Sequence, residues 1–369
     1  MRRVGWIRIG ALGDLLVGLA SLRETLDKWP DAKVTVIGSK LWLEILEPGY
    51  WPQVDRIAVV EKRGTSATIY EAVGNRTEDF QWKSCGTRGL RDELASGYDV
   101  VFNTRVDSPR QGFPAFWARV PERWGAAAGP ARFIYNRRAG HHGKDPLIHE
   151  RDVPLLLMDE AEARSVGDNR YCGRTLEEQI ALSPRIRKWR EAGLPVARRI
   201  DVGSVREKIR SERYFVVNPT SSRREKAWPA NRFRDMLRAI EQRELFAGTL
   251  PVVVGAPNET DWLREVAGHQ VRIFQPATIG ELFNVVAGAE FLLTNTSSVQ
   301  FVAASVGTKT LTLIGRAKPE IWGPIGPADR YVMGTEPLDV ASIFEREYRA
   351  YESISIETVL TSLQELASG

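Results

Sequence analysis

The stretch GWIRIGALGDLLVGLASL, residues 5–22, joins an apolar strand pattern that stops at Gly10 to a helical pattern that starts within three residues. Gly10 and Gly13 let the backbone turn tightly, and Asp14 stands at the start of the helix. The turn lacks the glycine spacing of a P-loop or of a dinucleotide-binding loop, so it does not predict a phosphate site. A carboxylate placed here indicates either a helix N-cap or a general base, and the sequence leaves both readings open.

The composition narrows the class of protein. The chain has 369 residues, of which 43% are hydrophobic and 27% charged, which predicts a globular protein of two domains with separate cores. The formal net charge of +4 comes with no nucleic-acid-binding motif, so no nucleic-acid partner is expected. Cys85 and Cys172 are far apart and outside any zinc or redox motif, which favours a reducing cytoplasm. Because no apolar run approaches the ~18 residues of a spanning helix, we expect any membrane contact to be peripheral.

Strand and helix patterns alternate along most of the chain. In the first half the runs VGWIRIG, KVTVIG, RIAVV and YDVVFN predict buried strands, and in the second half YFVVNP, LPVVVG, VRIFQ, EFLLTN and KTLTLIG do the same. Helical patterns such as ANRFRDMLRAIEQREL separate them. The polar, glycine-containing segment 61–96 interrupts this order and is interpreted as a loop or short-helix excursion, either a disordered insertion or a flap over the substrate. The alternation predicts an α/β fold made of parallel sheets.

A polar and basic segment at 191–212 predicts the connection between two halves. The resulting domains are 1–195 and 213–369, with 196–212 as a linker. Ligands of parallel α/β sheets bind at the carboxyl ends of the strands, so we expect a site in a central cleft between the halves, formed by the loops that directly follow strands.

Four such loops follow strands of the second half. The loop 218–229 offers two hydroxyls and a cation, the groups that a diphosphate requires, and the loop 294–301 places hydroxyls at a helix N-terminus, where free N–H groups attract anions. Glu259 follows the glycine turn at 255, where it is either a cap or a ligand of ribose hydroxyls. The fourth loop, 313–327, contributes Arg316. Solvated loops and capping side chains are the alternative interpretation for all of them. The candidate donor-binding residues are Ser221, Ser222, Lys226, Glu259, Thr296, Ser297, Ser298 and Arg316.

Taken in order, these loops resemble glycosyltransferase family 9, the heptosyltransferases of lipopolysaccharide core assembly. The motifs that carry the resemblance are G-x-L-G-D at 10–14, N-P-x-x-S-x-x-x-K-x-W-P at 218–229, G-x-x-x-E at 255–259 and I-G-R-x-x-P-x-x-W-G-P at 314–324. Weaker similarities are YDVVFNTR and the histidine-led segment HERDVPLLL.

The resemblance implies a GT-B fold, in which two Rossmann-like domains face a cleft and the last helix returns to the first domain. It also implies that the N-terminal half takes the acceptor and the C-terminal half takes a sugar nucleotide. Asp14 then matches the general base, Lys226 matches the lysine on the donor phosphates, and Ser221 and Ser222 fall on the hydroxyl donors of the same loop.

One motif departs from the family pattern. Members usually have an acid, a hydroxyl residue and a glycine, followed by a histidine three residues after the glycine; here the positions are Thr296, Ser297, Ser298 and Phe301. Hydroxyls still bind phosphate, so the departure bears on the identity of the donor and on activity itself.

The sequence therefore predicts an inverting glycosyltransferase that works without a metal or other cofactor and moves a heptose-like sugar from a nucleoside-diphosphate donor to a lipopolysaccharide-core or other glycan acceptor. We expect it in the cytoplasm, with the basic stretch YNRRAGHHGK at 135–144 as a candidate contact with an anionic membrane or a phosphorylated lipid. Two alternatives stay open: a non-catalytic GT-B protein that binds a nucleotide or glycan, and an enzyme whose acceptor is a protein or small metabolite.

Overall fold

The computed structural model describes residues 1–60, 65–74, 80–104, 112–126, 133–139, 148–269, 271–337, 339–340 and 342–368. The chain divides into two compact units: the first contains Met1–Arg190 and Ala197–Arg199, and the second contains Glu191–Val196 and Ile200–Gly369. Of the predicted linker 196–212, Ala197–Arg199 group with the first unit, and Val196 and the residues from Ile200 onward group with the second.

The first unit contains one described sheet whose strand order is β5-β4-β3-β2-β1-β6-β7-β8. All neighbours from β3 to β8 run parallel. The strands are β1 (Arg3–Arg8), β2 (Lys33–Gly38), β3 (Val54–Val60), β4 (Ser66–Val73), β5 (Gln81–Gly89), β6 (Val100–Asn103), β7 (Glu122–Ala126) and β8 (Arg137–Ala139). The described helices are α1 (Leu12–Leu16), α2 (Leu19–Lys28), α3 (Trp42–Ile45), α4 (Leu90–Ala95), α5 (Phe113–Trp117), α6 (Asp152–Ser165), α7 (Leu176–Leu182) and α8 (Pro184–Ala192), the last ending at the boundary between the units.

The segment 61–96 is not the loop or short-helix excursion that its polarity predicted. The described parts form β4 and β5, an antiparallel pair that extends the sheet beyond β3, and then α4; residues 61–64 and 75–79 lie outside the described chain. Ala67 and Ile69 of β4 point into the apolar core of this unit, with Leu90 from α4. The alternation of buried and open positions over 66–70 is the strand signal, and the glycines and charges around it concealed it.

The second unit contains a parallel sheet with the order β11-β10-β9-β12-β13-β14. Its strands are β9 (Tyr214–Asn218), β10 (Leu250–Val254), β11 (Arg272–Phe274), β12 (Leu292–Asn295), β13 (Thr310–Ile314) and β14 (Arg330–Met333). The described helices are α9 (Val202–Ile209), α10 (Ala230–Gln242), α11 (Thr260–Ala267), α12 (Ile279–Ala287), α13 (Val299–Val306), α14 (Pro319–Trp322), α15 (Ile343–Glu352) and α16 (Ile356–Ser368).

Both sheets reverse their strand order at one point. The reversal lies between β1 and β6 in the first unit and between β9 and β12 in the second, as in doubly wound Rossmann-like sheets. The loops that leave the carboxyl ends of these four strands separate there and open a crevice, which is where such folds bind ligands. The topology therefore places the loops after β1, β9 and β12 where the sequence expected functional residues.

The last helix, α16, contributes an apolar face to the core of the second unit. Its apolar stripe joins the core that also contains Phe233 of α10. The stripe consists of Val359, Leu360, Leu363 and Leu366, each at most 2% exposed. Because these residues are spaced three and four apart, their side chains lie on one face of the helix, and that face is buried in the second unit.

Candidate functional site

A hydrogen-bonded network of buried polar side chains joins three loops at the strand reversal of the second unit. Asn218, the last residue of β9, donates from its side-chain amide to the Val254 carbonyl oxygen at 2.9 Å and to the Thr220 hydroxyl at 3.2 Å. The Thr220 hydroxyl donates to the Glu259 carboxylate at 2.9 Å, and this carboxylate also accepts from the Ala256 N–H at 2.8 Å. Asn218 and Thr220 are each less than 5% exposed. The loop after β9 and the glycine turn after β10 are therefore fixed to one another.

The loop after β12 attaches to the same network through Ser297. Its hydroxyl lies 3.1 Å from the side-chain oxygen of Asn218 and 2.9 Å from the Thr294 hydroxyl. It also accepts from the Val299 N–H at 3.3 Å, so it satisfies a free N–H group at the first residue of α13. Since α13 starts at Val299, the positive end of this helix lies beside the loop after β9, where it favours an anion.

The loop 219–228, which contains the predicted cation, is clamped by Asn295. The Asn295 side chain accepts from the Trp228 N–H at 2.9 Å and donates to the Pro219 carbonyl at 2.7 Å, so it holds both ends of the loop. Trp228 is fully buried and its indole N–H donates to the Ile354 carbonyl at 3.1 Å. The loop is thus built on a rigid base.

Lys226 lies in a short 3-10 turn of this clamped loop and is half-buried. Among the residues that the structure describes, its ammonium has no acidic partner within ion-pair distance. Ser221 is half-buried and Ser222 exposed in the same loop. A cation in a loop that is fixed at a strand reversal and also carries two serine hydroxyls suits a diphosphate.

The side chains of two other predicted donor-binding residues contact groups of the protein itself. The Thr296 hydroxyl lies 3.3 Å from the Leu313 carbonyl oxygen, and Arg316 makes an ion pair of 2.7 Å with Glu336. Ser298 is the N-cap residue of α13, but its side chain makes no capping bond. Burial also raises the pKa of the Tyr351 phenol, which therefore stays neutral.

The position where family 9 members usually have a histidine belongs to the core. Phe301 is 2% exposed, and its ring centroid lies 6.4 Å from that of Trp322. Gln300, beside it, is equally buried and donates to the Trp322 carbonyl at 2.8 Å. This part of α13 therefore presents no ring nitrogen to a ligand.

In the first unit, the turn after β1 holds Asp14 in the third position of α1. The carboxylate of Asp14 is half-buried and accepts from the Ala11 N–H at 2.9 Å, so the helix-capping interpretation is correct in part. Gly10 is needed because a Cβ there would lie 2.4 Å from the Cβ of Asp14. Gly13 lies inside α1. A carboxylate offers about four lone-pair sites, so this bond is compatible with a second one to a substrate hydroxyl.

Sequence reasoning missed the buried polar side chains that hold the loops. Asn218 and Asn295 end the apolar strands YFVVN and LLTN, and an amide at that position is the signal that could have identified them. Within the described ranges no three histidine, cysteine or acidic side chains lie together as a metal site would require. None of the described helices has the length and apolar character needed to cross a bilayer.

Comparison with known protein families identifies the class of enzyme. Residues 181–343 match the model of glycosyltransferase family 9 (heptosyltransferase), which contains every predicted donor-binding residue. These residues form a family 9 glycosyltransferase domain. The resemblance predicted from the motifs is confirmed, and the protein is a glycosyltransferase. A search of curated protein sequences found no match.

Solved glycosyltransferases share the fold of this chain over nearly its whole length. The glycosyl transferase family 9 protein from Veillonella parvula DSM 2008 is 18% identical, with a TM-score of 0.69 over 99% of this chain and 97% of that one. The ADP-heptose lps heptosyltransferase II of E. coli is 15% identical, with a TM-score of 0.69 over 100% and 98%. E. coli heptosyltransferase WaaC with ADP is 16% identical, with a TM-score of 0.62 over 99% and 99%. The predicted α/β fold class of the GT-B kind, with two Rossmann-like units, is confirmed.

Proposed function

We propose that this glycosyltransferase moves a heptose-like sugar from a nucleoside-diphosphate donor to a hydroxyl of a lipopolysaccharide-core or other glycan acceptor, with inversion at the anomeric carbon. The observation that carries the proposal is the clamped loop of Lys226 beside the N-terminus of α13 at the strand reversal of the second unit. The second unit would bind the donor and the first the acceptor. The E. coli structures named for ADP-heptose and for ADP suggest that an adenine nucleotide be tried first.

The proposed reaction uses one group from each unit. Asp14 takes the proton of the acceptor hydroxyl while the acceptor oxygen attacks the anomeric carbon on the face opposite the diphosphate. The bond from that carbon to the diphosphate breaks, and the charge on the leaving group is met by Lys226, the loop hydroxyls and the N-terminus of α13. These groups perform the task without a resident metal or other cofactor. Glu259, fixed by Thr220, is proposed to accept from the ribose hydroxyls.

Calorimetry with ADP, UDP, GDP and CDP, followed by a transfer assay with the matching sugar nucleotide, tests this function. We expect one nucleoside diphosphate to bind most tightly and its sugar nucleotide to be turned over when a glycan acceptor is present. Binding without transfer or hydrolysis would instead support a non-catalytic nucleotide-binding protein. Absence of binding to every nucleotide would contradict both.

We further propose that the protein works in the cytoplasm, at the inner surface of an anionic membrane where a glycolipid acceptor is presented. An aromatic patch of the first unit supports this: Phe116, Trp117 and Phe133 are 41%, 57% and 67% exposed. The Arg123 guanidinium lies 5.6 Å from the Phe116 ring centroid and donates to the Ile134 carbonyl at 2.7 Å. Exposed aromatic side chains beside cations are typical of surfaces that lie at anionic headgroups.

Arg119 adds a positive charge to the aromatic patch. It is exposed and has a φ of 56°, in the left-handed region where a helix end usually has glycine. The charged side chain is retained there despite the backbone strain. Of the predicted basic stretch 135–144, residues 140–144 lie outside the described chain.

Flotation with vesicles of phosphatidylcholine, with and without phosphatidylglycerol, tests the membrane contact. We expect the protein to float with the anionic vesicles in a salt-dependent manner, and the double variant Trp117→Ser, Phe133→Ser to stay behind. Tyr331 and Met333 of the second unit, each 51% exposed, provide the matched control when both are changed to Ser. Equal flotation of the patch variant and the control would contradict the proposal.

A further inference from the structure

Arg8, the last residue of β1, is an arginine almost completely buried in the first unit. Its side chain is 1% exposed, although the strand it ends is otherwise apolar from Val4 onward apart from one glycine. Taking a guanidinium out of water is costly unless each of its donors finds a partner. A residue of this kind at the carboxyl end of the central strand therefore points to a specific task.

In the described part of the chain, Arg8 bonds to three separate segments. Its Nε donates to the backbone carbonyl of Asp14 at 2.7 Å, and one terminal nitrogen lies 3.3 Å from the carbonyl oxygen of Thr104, directly after β6. The other terminal nitrogen contacts the Glu150 carboxylate at 3.4 Å. Thus one side chain connects the two loops of the strand reversal with the segment before α6.

These three segments are motifs that the sequence singled out and that the proposed chemistry uses only in part. Asp14 ends G-x-L-G-D, Thr104 lies in YDVVFNTR, and Glu150 lies in HERDVPLLL. The latter two appeared only as weak similarities. The contacts of Arg8 give a physical reason for all three to occur together in one chain.

We propose that Arg8 is a positioning residue for Asp14, and that Glu150 holds Arg8 in the orientation that does so. The planar fork of a guanidinium can serve three acceptors in fixed directions, which an ammonium on a flexible chain cannot. By fixing the carbonyl of residue 14, Arg8 sets where the first turn of α1 begins and thus where the carboxylate lies. This inference rests on the proposed function, because it assigns Arg8 through the catalytic role of Asp14.

Glu150 makes the arrangement testable without disturbing the core. Its side chain is 31% exposed, so Glu150→Gln removes the negative charge at an accessible place and keeps an oxygen that can accept. Glu122 is a matched control in the same unit: it is 26% exposed and pairs with Arg2 at 2.7 Å. Glu122→Gln therefore removes a comparable ion pair that has no contact with Asp14.

The experiment compares kcat and KM of Arg8→Met, Arg8→Lys, Glu150→Gln and Glu122→Gln. A displacement of about 1 Å can reduce a rate on the order of 100-fold, so we expect Arg8→Met to lower kcat by about that factor while donor KM stays unchanged. Arg8→Lys, which keeps the charge but not the fork, should recover only part of the loss. Glu150→Gln should lower kcat to a smaller degree, and Glu122→Gln should not.

Circular dichroism and thermal unfolding show which variants fold, and Glu150→Gln keeps the test open if Arg8→Met does not. The proposal is overturned if folded Glu150→Gln has the same kcat as Glu122→Gln, or if donor KM rises in parallel with the fall in kcat. Asp14→Asn is assayed alongside. If that variant is inactive while the Glu150 variant is not, the proposed function survives and only the positioning role fails. Full activity of Asp14→Asn would overturn both.

Discussion

At the residue scale, Asp14 and Gly10 depend on one another. The sequence explained Gly10 by the tightness of the turn, whereas the structure explains it by the approach of the Asp14 side chain, which occupies the place of a Cβ at position 10. The candidate acid was predictable because a carboxylate directly after a strand is conspicuous. Arg8 was not, since an arginine within an apolar strand shows no sign in the sequence of being buried among three acceptors.

Replacing Lys226 tests its proposed role in donor binding. Changing Lys226 to Ala removes the charge that is proposed to meet the diphosphate. Such donors contribute ~3 kcal/mol in the transition state, so we expect transfer to slow by roughly 100-fold or more. Steady-state kinetics with the sugar nucleotide measure this. Arg224→Ala is the control, because Arg224 is a cation of the same 3-10 turn that is already paired with Glu265 at 2.7 Å. Equal losses in both variants would contradict a specific role for Lys226.

At the scale of elements, the sequence predicted the strands and helices that have clear apolar patterns. It did not predict those whose pattern is weak or polar. The strands YFVVN, LPVVV and LLTN and the helix α10 lie where their apolar patterns placed them. The β4–β5 pair was missed because exposed positions of an outer hairpin are polar, and α9 was missed because its buried residues, Val205 and Ile209, give only one apolar contact per turn. The apolar stripe of α16 predicted a packed helix but does not by itself specify which core the helix joins.

Asp329 lies directly before the edge strand β14, and its contribution to stability is expected to depend on pH. Its carboxylate accepts from the N–H groups of Thr310, the first residue of β13, and of Gly326. Burial raises the pKa of Asp329 to about 6 against these opposing bonds. Because its pKa is raised in the folded state, its favourable contribution is complete below the unfolded pKa of 3.8 and is lost as the pH rises through about 6.

We therefore expect the difference in unfolding free energy between the wild type and Asp329→Asn to shift against the wild type as the pH rises from about 4 to about 7. Urea unfolding of both proteins across this range measures the difference. Asp261→Asn serves as the control, since the Asp261 side chain is 98% exposed. A difference that stays constant with pH would contradict the assignment.

At the scale of the whole molecule, the chain is two Rossmann-like units whose strand order reverses at one point in each. That rule of topology, rather than any single motif, explains why the sequence could locate the loops of Asp14, Lys226 and Ser297 at once. It could not find Asn218 and Asn295, which bind the loops together, because pairing between distant segments leaves no local pattern. Nor could it foresee that Phe301 is a core residue.

The central claim is that Asp14 removes the acceptor proton. Its most direct test is the transfer rate of Asp14→Asn at saturating donor and acceptor, with nucleotide affinity measured on the same sample. The asparagine keeps an oxygen for the Ala11 N–H, so the helix start should be preserved. We expect unchanged nucleotide binding and a rate lower by roughly 100- to 10,000-fold, the usual contribution of a general base. A rate close to that of the wild type would contradict the account.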